Sequence, residues 1–229
     1  VIGERTRHVS GMVSGEKHGG DPSPTTAYGV YQGIRAAVSF RLNSDLKGVR
    51  VAMQGIGNVG YHLAKYLVEA GAEVYAADIN AQNIDRAVND LGVRPLALTD
   101  ILSADVDVLA PCALGGAINE KSIDNVKATI VAGAANNQLA SVEMDRGLMS
   151  RGILYAPDYV INAGGIIDVY YQTQGQRDRE MLQDHVDQIG NCLTEVFERS
   201  AVEGKPTGEI ADCMAESIFQ KPKRVRQAA

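Results

Sequence analysis

The sequence predicts an α/β fold, a doubly wound and mostly parallel sheet followed by C-terminal helices. Three observations predict it. Short β-branched runs alternate with segments of helical periodicity, the first run ends in a glycine loop that opens a helix, and beyond residue 163 the pattern is helical throughout. Taken in order, GGDPSPTTAYGVYQGIRAAVSF places Ala27, Val30, Tyr31, Ile34 and Val38 at helical spacing, with Ser23 as N-cap and Pro24 in the first turn. After the polar break NSDLKG, VRVAMQ reads as a strand and NVGYHLAKYLVEAG as a helix that Gly71 stops. EVYAAD is the next strand, and a helix near 81–91 is closed by Gly92. VDVLAP, ATIVAGA and ILYAP follow as strands, with a helix near 141–150 before the last. Five to six strands alternating with helices imply a sheet covered on both faces. In the C-terminal part Leu182, Val186, Ile189, Leu193, Val196 and Phe197 form one apolar stripe, and a last helix follows Pro206.

Composition narrows the function classes. A net charge of −6, with KPKRVR near the C-terminus as the one dense basic run, argues against nucleic acid as a partner. No apolar stretch approaches the roughly 20 residues of a membrane-spanning helix, and VIGERTRHVS has no apolar signal region. Cys112, Cys192 and Cys213 are odd in number and outside metal-ligand spacing, so neither a disulfide framework nor a metal site is expected, and a reducing cytoplasm fits best. The start at Val1 without methionine is read as that of a fragment or processed piece.

The loop QGIGNVG carries the first functional reading. Glycines crowd many tight turns, but here each has a role in holding a dinucleotide: Gly55 follows a strand, Gly57 lets the backbone approach a pyrophosphate, and Gly60 lets the helix pack on the strand. The helix start at Asn58 and Val59 then aims N–H groups at the phosphates. Asp78 closes the next strand, where a carboxylate accepts from the adenosine ribose, and Ile79, Asn80 and Ala81 offer no arginine to a 2′-phosphate. NAD is therefore expected rather than NADP. PCALGG and AGAANNQL follow two further strands, so Cys112, Ala113, Ala134, Ala135 and Asn136 are expected beside the cofactor, small residues admitting a flat ring. Gly115 and Gly116 are open between that role and tight strand-to-helix connection. Asn136 and Asn137 either cap the following segment or pair with the nicotinamide amide or a ribose hydroxyl, and the second reading is favoured. Cys112 is rejected as a nucleophile because no base is placed beside it.

The run GGDPSPTTAYGVYQGI, the loop QGIGNVGYHL, the pair APCALGG and AGAANNQL, and above all YAPDYVINAGGIIDV resemble the C-terminal nucleotide-binding half of the leucine, phenylalanine and valine dehydrogenases, over nearly the whole chain. The wording DPSPTTAYGVY is nearer to the leucine members than to the phenylalanine members. The resemblance implies a Rossmann-type domain and reversible oxidative deamination of an L-amino acid to a 2-oxo acid, with hydride passing to NAD. It implies that Thr26 lies near the nicotinamide carboxamide and that Asn162 lies between the nicotinamide and the substrate carboxylate. It also implies that Ile166 and Val169 line the side-chain pocket, favouring a branched aliphatic substrate. Bland alternatives stand beside these roles: Asn162 as the N-cap of the following helix, and Ile166 and Val169 as core residues at i and i+3.

The chain departs from the family in one respect. The resemblance assigns the catalytic lysines and aspartate to an N-terminal domain, and neither Lys17 nor Lys47 sits in the glycine-rich lysine motif. No general base is named here, and His8, His18, His62 and His185 are scattered. Residues 1–20 are expected to be a hinge or the tail of that domain, and 21–229 the dinucleotide-binding domain with its C-terminal helical segment. The expected partner is a small-molecule substrate, with a homo-oligomer left open. The function is either the NAD-binding part of an amino-acid dehydrogenase, inactive by itself, or a stand-alone NAD-binding or partner-assembling module.

Overall fold

Strand β1 (Arg50–Gln54) is a five-residue run whose middle three residues are buried, and it organises the molecule. The structure, a computed structural model, describes residues 20–174 and 178–219. Of the expected hinge over residues 1–20, residues 1–19, with His8, Lys17 and His18, lie outside the described residues, as does the basic run near the C-terminus. Parallel pairing joins β1 to β2 (Glu73–Ala77) on one side and to β4 (Val108–Pro111) on the other. With β3 (Arg94–Pro95), β5 (Ile130–Val131) and β6 (Leu154–Tyr155), the order is β3-β2-β1-β4-β5-β6, parallel throughout. Gln54 lies level with Ala77 and Pro111, so the chain leaves the C-terminal ends of three strands at one height. The direction of winding reverses between β1 and β4, which opens a crevice beyond those ends.

The centre of this sheet is buried on both faces, and its side chains sort by the strand period of two. Val51 and Met53 join one core with Val74, Ala76, Val108 and Ala110, whereas Ala52 faces the other with Ala77, Leu109 and Val131. Two faces need two helical covers. One comprises α1 (Ser23–Leu42), α2 (Asn58–Glu69) and α7 (Arg179–Glu203), with α8 (Thr207–Phe219) adding Ile210. The other is formed by α4 (Glu143–Ser150), through Leu148, and by Ile101, Ile118 and Ile123 on the crossovers. Helix α3 (Ala81–Leu91) begins at Asn80, whose side chain accepts from Gln82 N–H at 3.0 Å, and stops at Gly92 with φ of 71°. Two short helices, α5 (Asp158–Ile161) and α6 (Gly164–Thr173), fill the span between β6 and α7.

Helix α1 reaches the centre of the fold through its glycines. A Cβ at Gly29 would lie 2.7 Å from Ile189 Cδ1, and one at Gly33 would overlap the side chain of Ile161 and come within 2.8 Å of Leu193. The expected stripes Ala27, Val30, Ile34 and Val38 on α1 and Val186, Ile189, Leu193, Val196 and Phe197 on α7 are buried and meet here, with Tyr31 and Leu182 partly buried beside them.

Two readings are corrected. Ser23 is the first residue of α1 and not its cap: Pro22 precedes it, and Asp21 Oδ1 accepts from both Ser23 N–H (2.9 Å) and its hydroxyl (2.6 Å). Those two donors hold the Asp21 carboxyl below the usual carboxylate range. The sequence reading also passed over β3, because two exposed residues, one a proline, carry no period.

Candidate functional site

The glycine loop turns directly from β1 into α2. Gly55 has φ of 96°, in the left-handed region that suits glycine, and a Cβ there would meet Ala113 Cβ at 2.8 Å. Gly60 packs so closely that a Cβ would lie 2.5 Å from the Gly55 carbonyl oxygen. Gly57 differs: among the described residues nothing stands within 4 Å of the Cβ position. Gly57 is also the N-cap of α2, which has no side-chain cap and no acidic residue in its first turn. The N–H groups at Asn58, Val59 and Gly60 stand ahead of the first intrahelical hydrogen bond, from Tyr61 N–H to the Gly57 carbonyl, at the positive end of a twelve-residue helix, an arrangement suited to a phosphate.

Asp78 follows β2 and is tied to this loop. Ile56 N–H donates to its Oδ2 at 2.7 Å, and Asn80 N–H to its Oδ1 at 2.8 Å. Each oxygen keeps a lone pair for a further donor, so the carboxylate shapes the loop and can still accept from a diol. Ile79 beside it is 91% exposed.

The loops after β4 and β5 press against each other. Gly116 N–H donates to the Asn137 carbonyl at 2.7 Å, Ile118 N–H to the Gln138 carbonyl at 3.0 Å, and Ala135 N–H to the Pro111 carbonyl at 2.9 Å. A Cβ at Gly115 would lie 2.8 Å from the Asn136 carbonyl, and Gly116 has φ of 72°, so backbone geometry explains both glycines. Burial pushes the Cys112 thiol up to about 12, against the smaller opposing effect of the Ala134 N–H. Cys112 is thus an inert wall, and Ala113, exposed beside it, adds another small surface at the crevice.

The two asparagines of the 133–138 loop divide their work. Asn137 has φ of 52° and serves the turn through its carbonyl, whereas Asn136 is exposed and its Oδ1 accepts from Asn162 Nδ2 at 2.6 Å. Asn162 Nδ2 also lies 3.3 Å from the Ala134 carbonyl. The amide does not cap α6, because Ala163 holds that place and Asn162 closes α5. Gly164 and Gly165 seat α6 on the start of α1. A Cβ at Gly164 would be 2.5 Å from the Thr25 carbonyl, and one at Gly165 would be 2.6 Å from Thr26 Oγ1. Thr26 donates to the Pro22 carbonyl at 2.9 Å, which leaves its oxygen as an acceptor next to the Asn162 segment. Ile166 is 68% exposed and Val169 is half-buried, while Ile167 is the neighbour that packs on the core.

The other titratable candidates stand apart from this arrangement. Lys47 precedes β1, next to Gly71, at the opposite end of the strand from the glycine loop. His62 lies along α2, and His185 on α7 stacks edge-on against Tyr171. Among the described residues no cluster of metal-ligating side chains occurs, and no helix is long and apolar enough to cross a membrane.

Two residues at the site escaped sequence reading, Gln138 and Asp158. Both are buried, and Gln138 N–H donates to Asp158 Oδ2 at 2.7 Å. A signal was present in each case: a glutamine ends the small-residue loop, and an aspartate follows Pro157 at a helix start.

Comparison with known proteins identifies relatives of this chain and of its fold. A family model described as Glutamate/Leucine/Phenylalanine/Valine dehydrogenase matches residues 21–81 and 78–206. Leucine dehydrogenase of Bacillus subtilis is 42% identical over 227 residues, covering 99% of this chain and 62% of that protein. L-tryptophan dehydrogenase of Nostoc punctiforme is 40% identical over 231 residues, 100% of this chain and 64% of the relative. The chain thus spans about three fifths of the length of these curated relatives. The crystal structure of the Nostoc enzyme superposes with a TM-score of 0.83 at 41% identity, over 86% of this chain and 59% of that one. A hetero-hexameric glutamate dehydrogenase from Thermus thermophilus shares the fold at 22% identity, with a TM-score of 0.70 over 90% of this chain and 54% of that one.

Proposed function

The chain belongs to the Glutamate/Leucine/Phenylalanine/Valine dehydrogenase family, and on that premise we propose that it is the NAD-binding part of an enzyme for reversible oxidative deamination of an L-amino acid to a 2-oxo acid. One observation carries the reading: the uncapped start of α2, the Asp78 carboxylate and the Asn136–Asn162 amide pair all lie along the crevice edge of one parallel sheet. In this reading the N–H groups of Asn58, Val59 and Gly60 hold the pyrophosphate, and Gly55 and Gly57 let the backbone come near it. Asp78 accepts from the adenosine ribose and disfavours a 2′-phosphate, with Ile79 against the adenosine. Cys112, Ala113, Ala134 and Ala135 flank the nicotinamide end. NAD, when bound, supplies the hydride acceptor.

Thr26 and Asn162 orient the nicotinamide carboxamide and the substrate carboxylate as neutral groups, which leaves the charge balance of hydride transfer undisturbed. Ile166 and Val169 supply one apolar wall of the side-chain pocket, suited to a branched aliphatic group. The domain is residues 21–229, and the general base belongs to a part of the protein outside it. A second reading, a module that holds NAD without turnover, is favoured by the lack of any lysine or histidine in the loops 55–60, 112–116, 133–138 and 162–166.

Titrating the chain with NADH while following nicotinamide fluorescence tests the shared claim: saturable enhancement is expected, and a flat response up to millimolar cofactor overturns it. NADH formation from L-leucine, L-valine, L-phenylalanine and L-tryptophan by the whole protein separates the two readings.

A further inference from the structure

We propose that Gln138 is a positioning residue for the nicotinamide end of the crevice: it holds the 133–138 loop so that Asn136 meets Asn162, with Asp158 as its anchor. The proposal rests on the cofactor-binding reading above and deepens it.

Gln138 is fully buried, an uncommon place for a glutamine. Its Nε2 donates to the Gly133 carbonyl at 2.8 Å and to the Ala135 carbonyl at 3.1 Å, which uses both hydrogens of the amide. Its backbone N–H donates to Asp158 Oδ2, and its carbonyl accepts from Ile118 N–H. One residue thus ties the start of its own loop, the β4 crossover and the first residue of α5. The two carbonyls fix which way the amide faces, since the flipped amide would set oxygen against oxygen. Its Oε1 is buried with no partner among the described residues, a desolvation cost that an apolar side chain of equal size would avoid. The position therefore depends on the two donors.

These contacts close a ring. Asp158 begins α5 and holds Gln138; Asn162 ends the same helical turn and holds Asn136, two residues before Gln138. The distance between the amides is set by one turn of helix on one side and by the curl of the loop on the other. Releasing Gln138 frees the curl, and Asn136 loses its fixed place against Asn162. The glycine loop, Asp78 and α2 are outside this ring. Loss of Gln138 should therefore be felt by the nicotinamide and not by the rest of the dinucleotide.

The experiment is calorimetric titration with NADH and, separately, with ADP-ribose, which lacks the nicotinamide. Gln138→Met keeps the length of the side chain and removes both donors. It is expected to weaken NADH about tenfold while ADP-ribose stays within about twofold of wild type. In an Asn136→Ala background the same substitution should cost NADH less than about twofold, because the group it positions is gone. Equal losses for both ligands, or unchanged NADH affinity, overturn the proposal. Asp158→Asn, nearly isosteric and able to accept a single weaker hydrogen bond, is the second variant if Gln138→Met does not fold. It should cost NADH about threefold and ADP-ribose nothing, and losses shared by both ligands overturn the proposal again. A wild-type chain that binds neither ligand instead removes the cofactor reading itself.

Discussion

Asn162 donates from Nδ2 to Oδ1 of Asn136 at 2.6 Å, so amides 26 residues apart in sequence share one polar surface at the crevice. The bond orients both groups: Asn136 is left with its amide hydrogens outward, and Asn162 with its oxygen free to accept. Asn162→Ala breaks this bond and the contact with the Ala134 carbonyl. The expected loss in NADH binding is about 1–2 kcal/mol, or roughly five- to thirtyfold in Kd, with little change in melting temperature. A Kd within twofold of wild type, measured by fluorescence titration, would remove Asn162 from the site.

Asp78 has two tasks, shaping the glycine loop and repelling a 2′-phosphate. Asp78→Ser keeps an oxygen near Ile56 and removes the charge. The ratio of NADPH to NADH affinity should rise at least about tenfold, the value of some 1.4 kcal/mol. An unchanged ratio sinks the assignment.

Cys112 is partly buried with its thiol pushed up to about 12, whereas Cys192 and Cys213 are exposed. A chromogenic disulfide reagent at pH 8 should therefore titrate two thiols in the native chain and three after denaturation. Rapid native reaction of Cys112, identified by mass spectrometry, would contradict its raised pKa.

Asp107 governs part of the acid response. Burial raises its pKa, but the Arg50 guanidinium, the Arg50 N–H and the positive charge together outweigh that, and the carboxyl is held below the usual range. A folded-state pKa below the unfolded one gives stability that is present above the ordinary carboxylate value and lost as pH falls through the folded value. Asp107→Asn should therefore lower the melting temperature at pH 7, and the gap to wild type should shrink below pH 4. Parallel curves from pH 7 to pH 3 would show that the pair contributes nothing.

Ile166 is exposed at the start of α6, where core packing cannot account for it. In the whole enzyme Ile166→Ala should raise kcat/KM for phenylalanine relative to leucine by about tenfold, the scale of one or two methylenes in an apolar pocket. If the ratio stays put, the pocket lies elsewhere.

What was readable in the chain was whatever has a local period or a local steric rule. The glycines at 55, 71 and 92 each take positive φ, and the stripes on α1 and α7 follow the helical repeat. Asp78 was visible because its place at a strand end is a matter of counting. Gln138 and Asp158 were not, because their meaning depends on a hydrogen bond across 20 residues that neither propensity nor period encodes. Ser23 was misread for the opposite reason: Pro22 holds the cap position, and the Asp21 carboxylate takes both the Ser23 N–H and its hydroxyl. The close fit of Gly29 and Gly33 against α7 likewise required the far partner to be known.

That fit also sets a timetable. The groove of α1 is filled by Ile161, Ile189 and Leu193, the last of which are synthesised about 160 residues after Gly29. At ribosomal speeds of about 5–20 residues per second, the apolar face of α1 waits on the order of ten seconds for its cover. The sheet, its crevice and the contact of α1 with α2 can be complete while the groove at Gly29 and Gly33 still lacks its cover. A nascent chain stalled before Ile189 should therefore expose α1 to protease and to chaperone, and release of some twenty further residues should close it.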